Sequence, residues 1–233
     1  MTDVVSLLAA RLAHVGIDLV GATSVAAYEQ RAADGRLARD VPDARGVIVL
    51  GNGGTALWRA FRADAGSAGL DAFVARAVEA ATRDVDRAWC VYPSDSRIDF
   101  RALGELAGLG RPSLLGLLVH PVYGPWMALR AAVLVPHDVT APRPADGFDP
   151  CPTCVERPCI AACPVGAIGP GGWDVPACSA HRLADEAHCA SGCTARIACV
   201  YGRAHVHPPD ALAFHQAAAR RTMAAYASAD RKA

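Results

Sequence analysis

Residues 151–169 read CPTCVERPCIAACPVGAIG: four cysteines fall within the first 13 positions, and proline follows the last. The spacing is C-x2-C-x4-C-x3-C-P. Three cysteines this close together must come from a loop wrapped round a metal with its backbone amides aimed at sulfur. A fourth at the head of the next turn faces away from that metal. Pro164 suits the position, because it breaks the turn and carries no N–H.

Working outward, Cys178 stands alone, and Cys189, Cys193 and Cys199 follow in a C-x3-C-x5-C pattern. Eight of the nine cysteines therefore lie within 49 residues, a segment too short to bury a core of its own without metal. Crossing the ligands, as two-cluster iron–sulfur proteins do, gives one set of Cys151, Cys154, Cys159 and Cys199 and a second of Cys163, Cys178, Cys189 and Cys193. No thiol is left over. Two [4Fe–4S] clusters are the expectation; two four-thiolate zinc sites are the rival, although only one C-x2-C knuckle is present. Disulfides are the third reading, disfavoured because no export signal is visible.

Composition narrows the class. The chain has 233 residues, 52% of them apolar, and a formal net charge of zero. A broad basic field for nucleic acid is absent, so no nucleic-acid partner is expected. The start, MTDVVSLLAARLAHVG, has no basic region ahead of its apolar residues. The longest apolar passage, residues 112–136, is interrupted by His120, Pro121, Gly124, Pro125 and Arg130, against a membrane span. Thiol-rich and without a leader, the protein is expected in the cytoplasm. Lys232 is the single lysine, which reads as coding bias rather than function.

The first 140 residues have another character. Residues 2–15 have helical spacing ended by Gly16, and IDLVGA (17–22) is a short strand. ARGVIVLGNGG (44–54) is a buried strand entering a glycine turn; it fits neither phosphate-loop pattern. Helices are expected at 55–64 and 69–85, a strand at 87–93 and a short helix at 99–110. LLGLLVHP (114–121) and ALRAAVLVP (128–136) then flank a turn made by VYGPW (122–126). Such alternation indicates an α/β layer. Residues 137–150, rich in Pro, Asp and Gly, are the expected linker between a domain at 1–140 and a second at 141–233, whose last helix runs from about Pro209 to Ser228. Cys90 is expected in the core, and His205, His207 and His215 are too scattered for a metal site.

AGLGRPSLLGLLVHPVYGPWMALRAAVLVP (107–136) resembles a segment of the epoxyqueuosine reductases and, more remotely, of reductive dehalogenases. Its second half is similar to the cobalamin-processing (CblC-type) proteins, with the His-Pro pair, the Gly-x-Trp and the following arginine. VPDARGVIVLGNGG resembles the reductases' arginine-and-strand passage, and the cysteine-rich half resembles their two-cluster module. C-x2-C-x4-C with a proline before the third cysteine also resembles the iron–sulfur subunits of dimethyl-sulfoxide-reductase-type enzymes.

The resemblance implies an α+β protein: a nitroreductase-like domain that holds a corrinoid, followed by a small ferredoxin-like two-cluster domain ending in a helix. It implies a reductase, with cobalamin a candidate cofactor beside the clusters and a ferredoxin or flavodoxin as electron donor. A ferredoxin-type carrier whose first domain only docks a partner is the alternative, and a flavin-dependent reductase is a third. His120, Tyr123, Gly124, Trp126 and Arg130 match the shared turn and would line the cofactor, with His120 not itself a cobalt ligand. The reductases' catalytic aspartate has its nearest counterpart in Asp95 of PSDSRIDF, although the following proline is missing. Their lysine after AGLG is replaced by Arg111-Pro112-Ser113, and their tRNA-reading repeats have no counterpart in these residues. Queuosine chemistry is therefore not expected.

Overall fold

The two most apolar runs of the first half pair with one another. The computed structural model describes residues 3–32, 36–66, 68–95, 97–141 and 147–230. Its main sheet has four strands, Leu19–Ser24 (β1), Gly46–Gly53 (β2), Trp89–Val91 (β3) and Met127–Val135 (β6), in the order β1-β2-β6-β3. Every neighbouring pair is antiparallel, so the fold is α+β and the alternation of strands and helices does not build a parallel layer. Two small hairpins complete the strands: Arg111–Pro112 (β4) with Leu118–Val119 (β5), and Ile168–Gly169 (β7) with Gly172–Trp173 (β8).

Both faces of the central pair are covered, which is why β2 and β6 read as continuous apolar runs. Alternate residues go to opposite faces. Val47, Val49, Ala132 and Leu134 join a core closed by helices Val25–Ala32 (α2), Arg36–Asp40 (α3) and Phe100–Leu106 (α6), which contribute Tyr28, Leu37 and Leu103. Ile48, Leu50, Ala131 and Val133 join the other, closed by Val4–Leu12 (α1), Ala56–Ala63 (α4) and Leu70–Thr82 (α5) through Leu8, Leu57 and Val78. Each such side chain stabilises the domain by about 1.5–3 kcal/mol on burial. Asp3 and Asp99 cap α1 and α6 by accepting from first-turn amides, so those helices start where a short acidic side chain replaces the missing carbonyl.

The register holds one irregularity with later consequences. Leu50 pairs with Ala131 but Gly51 pairs with Leu129, leaving Arg130 as the extra residue of a β-bulge. Of the run expected as a strand at 114–121, only Leu118–Val119 joins a ladder, because Leu114 directs its N–H to a cysteine instead. Cys90 is half-buried on β3, packs on the α5 side and lies 3.7 Å from Thr82 Oγ1.

The cysteine-bearing tail is built from the single turns Pro150–Thr153 (α7), Pro158–Ala161 (α8) and Thr194–Ile197 (α10), the ten-residue helix Val175–Ala184 (α9) and a long last helix, Pro209–Asp230 (α11). Part of the expected linker, 142–146, lies outside the described residues. The last helix docks on the first domain, where Phe214 meets Trp58 at 5.1 Å and Trp58 Nε1 donates to Asp210 Oδ2 at 3.0 Å. No helix among the described residues is long and apolar enough to cross a membrane.

Candidate metal centres

Two separate cavities in the tail are lined by cysteines, and each holds one of the expected sets. Cys151, Cys154, Cys159 and Cys199 line a narrow cavity with Leu114, Leu115 and Tyr201. Cys163, Cys178, Cys189 and Cys193 line a wider one of about 180 Å³. The chain achieves this by exchange across the α8–α10 pair. Cys159, inside α8, serves the first cavity and Cys163, just after it, the second; Cys193 caps α10 and serves the second, while Cys199 beyond it returns to the first. Leu115, 7% exposed, lines both cavities.

Electrostatics draws the same partition. Burial pushes the Cys159 thiol up, and the thiols that add to this are Cys151, Cys199 and Cys154. Cys189 is raised first by burial and then by Cys193, Cys178 and Cys163, with Arg182 opposing. Cys159, Cys178, Cys189 and Cys199 are each acted on only by cysteines of their own set. All nine thiols are free. Among the described residues no three His, Cys, Asp or Glu groups converge on a single ion. Leu114 N–H donates to Cys151 Sγ at 3.3 Å, the kind of bond that tunes a cluster's sulfur ligand. Arg182, 7% exposed, lines the second cavity with Nη2 on the Gln216 carbonyl at 2.9 Å and Nε without a partner. A buried cation facing four thiols fits an anionic centre there.

The His120–Trp126 turn lies against this tail. Two backbone bonds close it, His120 N–H to the Gly124 carbonyl at 2.9 Å and Gly124 N–H to the His120 carbonyl at 2.8 Å. His120 Nδ1 accepts from the amides of Val122 and Tyr123 at 3.1 and 3.2 Å, which places its proton on Nε2 and leaves neither nitrogen for a metal. Burial lowers its pKa, in keeping with a neutral ring. Tyr123 fills the space over Gly53 and donates its hydroxyl to Asp18 Oδ2 at 3.1 Å. Gly124 and Gly202 interlock, both at positive φ. A Cβ on Gly124 would lie 2.2 Å from the Tyr201 carbonyl oxygen, and one on Gly202 2.1 Å from that of Tyr123.

Trp126 is fully buried, with the Arg196 guanidinium 4.5 Å from its ring centre and His207 5.3 Å away. An aromatic wall free to cover a flat macrocycle is not what this arrangement offers; the tail already covers the ring. Asp95 stands apart, on the turn after β3. Arg97 Nε and Nη2 donate to it at 2.8 and 2.6 Å, and these bonds, followed by the Arg97 amide, hold the carboxyl at about 2. It has no proton to donate at neutral pH, so the geometry does not fit a general acid.

Asn52 and Arg196, near the turn, escaped the sequence reading, and His207 and His215 were set aside there as too scattered for a metal site. Asn52 Oδ1 accepts from Arg130 Nε at 2.7 Å, and Arg196 donates twice to the Pro125 carbonyl, at 3.1 and 2.6 Å. The one available signal was the Gly-Asn-Gly of the second strand, where a polar residue between glycines marks a bulge or a close approach.

No family model matches the chain, and no curated protein sequence matches it. Solved structures do. Epoxyqueuosine reductase from Bacillus subtilis is similar over 86% of this chain and 65% of that one, at 15% identity and a TM-score of 0.58. An epoxyqueuosine reductase bound to a modified tRNA stem loop matches over 88% of this chain and 66% of that one, at 15% identity and 0.56. A catabolic reductive dehalogenase in complex with 3-bromo-4-hydroxybenzoic acid matches over 97% of this chain and 35% of that one, at 19% identity and 0.56. The chain thus spans less than two thirds of the first reductase and about a third of the dehalogenase. At these identities the likeness establishes the fold, and it is the fold that the sequence resemblance implied. It lends nothing to the expectation that nucleic acid is excluded, since one neighbour holds tRNA.

Proposed function

We propose that the protein is an iron–sulfur reductase whose tail holds two [4Fe–4S] clusters, Cys151, Cys154, Cys159 and Cys199 ligating one and Cys163, Cys178, Cys189 and Cys193 the other. The observation that carries this reading is the division of eight thiols into two closed quartets around two cavities that share the Leu115 wall. When bound, such clusters supply one-electron transfer at potentials set by burial and by hydrogen bonds to sulfur. The chain's own residues provide those settings. Leu115 keeps apolar substance between the cavities, Leu114 N–H donates to one sulfur, and Arg182 places a cation beside the second quartet. The division into a sheet domain at 1–140 and a cluster domain at 141–233 belongs to the same proposal.

A corrinoid is the proposed acceptor, held at the first domain near His120, Tyr123, Gly124 and Arg130, with a ferredoxin or flavodoxin as donor. The sequence of the turn supports it; the covered face of Trp126 does not. That burial favours a second reading, a ferredoxin-type electron carrier with no organic cofactor.

Anaerobic purification with iron and acid-labile sulfide assay tests the clusters, with about eight irons per chain expected, four to each cube. Zinc, or fewer than about four irons, returns the tail to structural metal sites. Titration with cob(II)alamin separates the two readings. A spectral shift with saturable heat supports the corrinoid reductase, and neither signal supports the carrier.

A further inference from the structure

The sheet leaves one residue out of its ladder, and that residue is Arg130. A bulge re-aims the side chain it carries and is frequent beside functional sites. Arg130 Nε is fixed by Asn52 Oδ1 at 2.7 Å, and Asn52 is itself 3% exposed. That bond sets the plane of the fork and leaves both Nη groups without a hydrogen-bond partner among the described residues. Arg196 approaches from the tail, stacked on Trp126 and tied to the Pro125 carbonyl through Nε and Nη2. His207 lies 5.3 Å from Trp126 and 5.6 Å from His215, ring centre to ring centre.

What this cluster lacks among the described residues is a hydrogen-bonded anion. Among the described residues no carboxylate forms an ion pair with either arginine; Asp71 acts on Arg130, and Cys193 on Arg196, only through space. Burial, and for Arg130 the neighbouring Arg196 as well, draws both guanidiniums down to about 10, and burial first, then Arg196, draws His207 to about 4. His207 is 8% exposed and neither ring nitrogen closes a hydrogen bond; Trp126 Nε1 is buried and equally unpartnered. The Gly54 carbonyl lies close enough to favour a proton on His207 without completing a bond. Folded proteins do not leave paired cations and orphaned donors together without something to accept from them. Most of the free groups are donors: the two Nη of Arg130, the indole N–H and one imidazole N–H. Their complement is an acceptor-only group matched to a planar fork.

We infer that Arg130, Arg196 and the Trp126–His207 pair form a binding site for an oxyanion, the carboxylate or phosphate group of a ligand, between the sheet and the cysteine-bearing tail. This goes beyond the reductase reading; Arg196 and His215 also line the cavity of the second thiol quartet, so the anion would sit beside that proposed cluster. An acceptor bound here carries an anionic group.

Calorimetric titration of the full-length protein, purified anaerobically with its metal content measured, tests the site with inorganic phosphate and with acetate as probes. One of them is expected to saturate with Kd on the order of 1 mM or tighter. Phosphate binding the tighter points to a phosphate-bearing ligand, acetate to a carboxylate. Arg130→Gln and Arg196→Gln are each expected to weaken the preferred anion about tenfold or more, the loss of one charge-assisted bond. Should Arg196→Gln fail to fold, because Arg196 also secures Pro125, Arg130→Gln alone decides. No saturable heat from the parent protein with either probe up to about 10 mM, or an Arg130→Gln variant that binds as tightly as the parent, overturns the site.

Discussion

Around the sheet, Leu8, Ile48, Leu50, Val78 and Val133 are wholly enclosed, two apolar cores lying one on each face. In the tail the buried apolar group among the described residues is Leu115, Cys159, Ile168 and Ala195. One of those four is a proposed ligand and one belongs to the first half of the chain. The first region has enough apolar surface to offset its ordering entropy; the second has not. On the proposed reading, the difference teaches where folding free energy comes from: carbon in one region, metal–sulfur bonds in the other.

Removing metal is the hardest test of that contrast. Anaerobic chelation is expected to abolish hydrogen-exchange protection through residues 150–207 while β2 and β6 keep theirs; equal loss in both regions would break the comparison. Next comes Leu50→Ala, expected to cost about 2–5 kcal/mol in denaturant unfolding whatever the iron content, because the cavity it leaves lies under the sheet. A cost that vanished in the metal-free protein would mean the sheet depends on the tail.

Acid sharpens the boundary between the two. His207 has its pKa lowered from 6.5 to about 4, so the unfolded chain takes up its proton first. The stabilisation is complete above pH 6.5 and is lost as pH falls toward 4, on the order of 3 kcal/mol for that shift. His215, also lowered to about 4 by burial, titrates in the same window, so His207→Phe is expected to reduce the slope there rather than abolish it; an unchanged slope would place the titration elsewhere. Gly202→Ala tests the seam itself. It puts a side chain at positive φ against the Tyr123 carbonyl, at a cost of about 1–2 kcal/mol from the backbone alone. Slower protease cleavage in the variant would contradict the interlock. The smallest effect is expected of Trp58→Phe, which removes the bond to Asp210 and costs about 1 kcal/mol, read as a lower thermal midpoint for release of α11.

Legibility in the sequence follows the same divide. The strands at 46–53 and 127–135 were plain because enclosure on both faces writes apolar runs at 46–51 and 131–135. The two thiol quartets were plain because ligand spacing and an even count constrain one another. Val25–Ala32 was not foreseen, since its outer face is polar and few of its residues repeat at helical spacing. Nor was the antiparallel pairing of every strand, because alternation of elements says nothing about direction. Arg130 was marked on the resemblance, yet its bulge, its hold by Asn52 and its approach to Arg196 are products of register and of tail docking. Trp126 shows the reverse case: the motif was correctly placed in the chain, but only the docked tail reveals that its ring is covered.

The crosswise use of cysteines carries a consequence for biosynthesis. The quartet opened by Cys151 is closed by Cys199, and the one opened by Cys163 waits for Cys193. A nascent chain emerging from the ribosome therefore displays six of these thiols before either set is complete, and neither is complete until Cys193 has emerged. On the proposed reading, metal insertion has to wait for Cys193 and Cys199, and a chain stalled before them is a thiol-rich target for proteases.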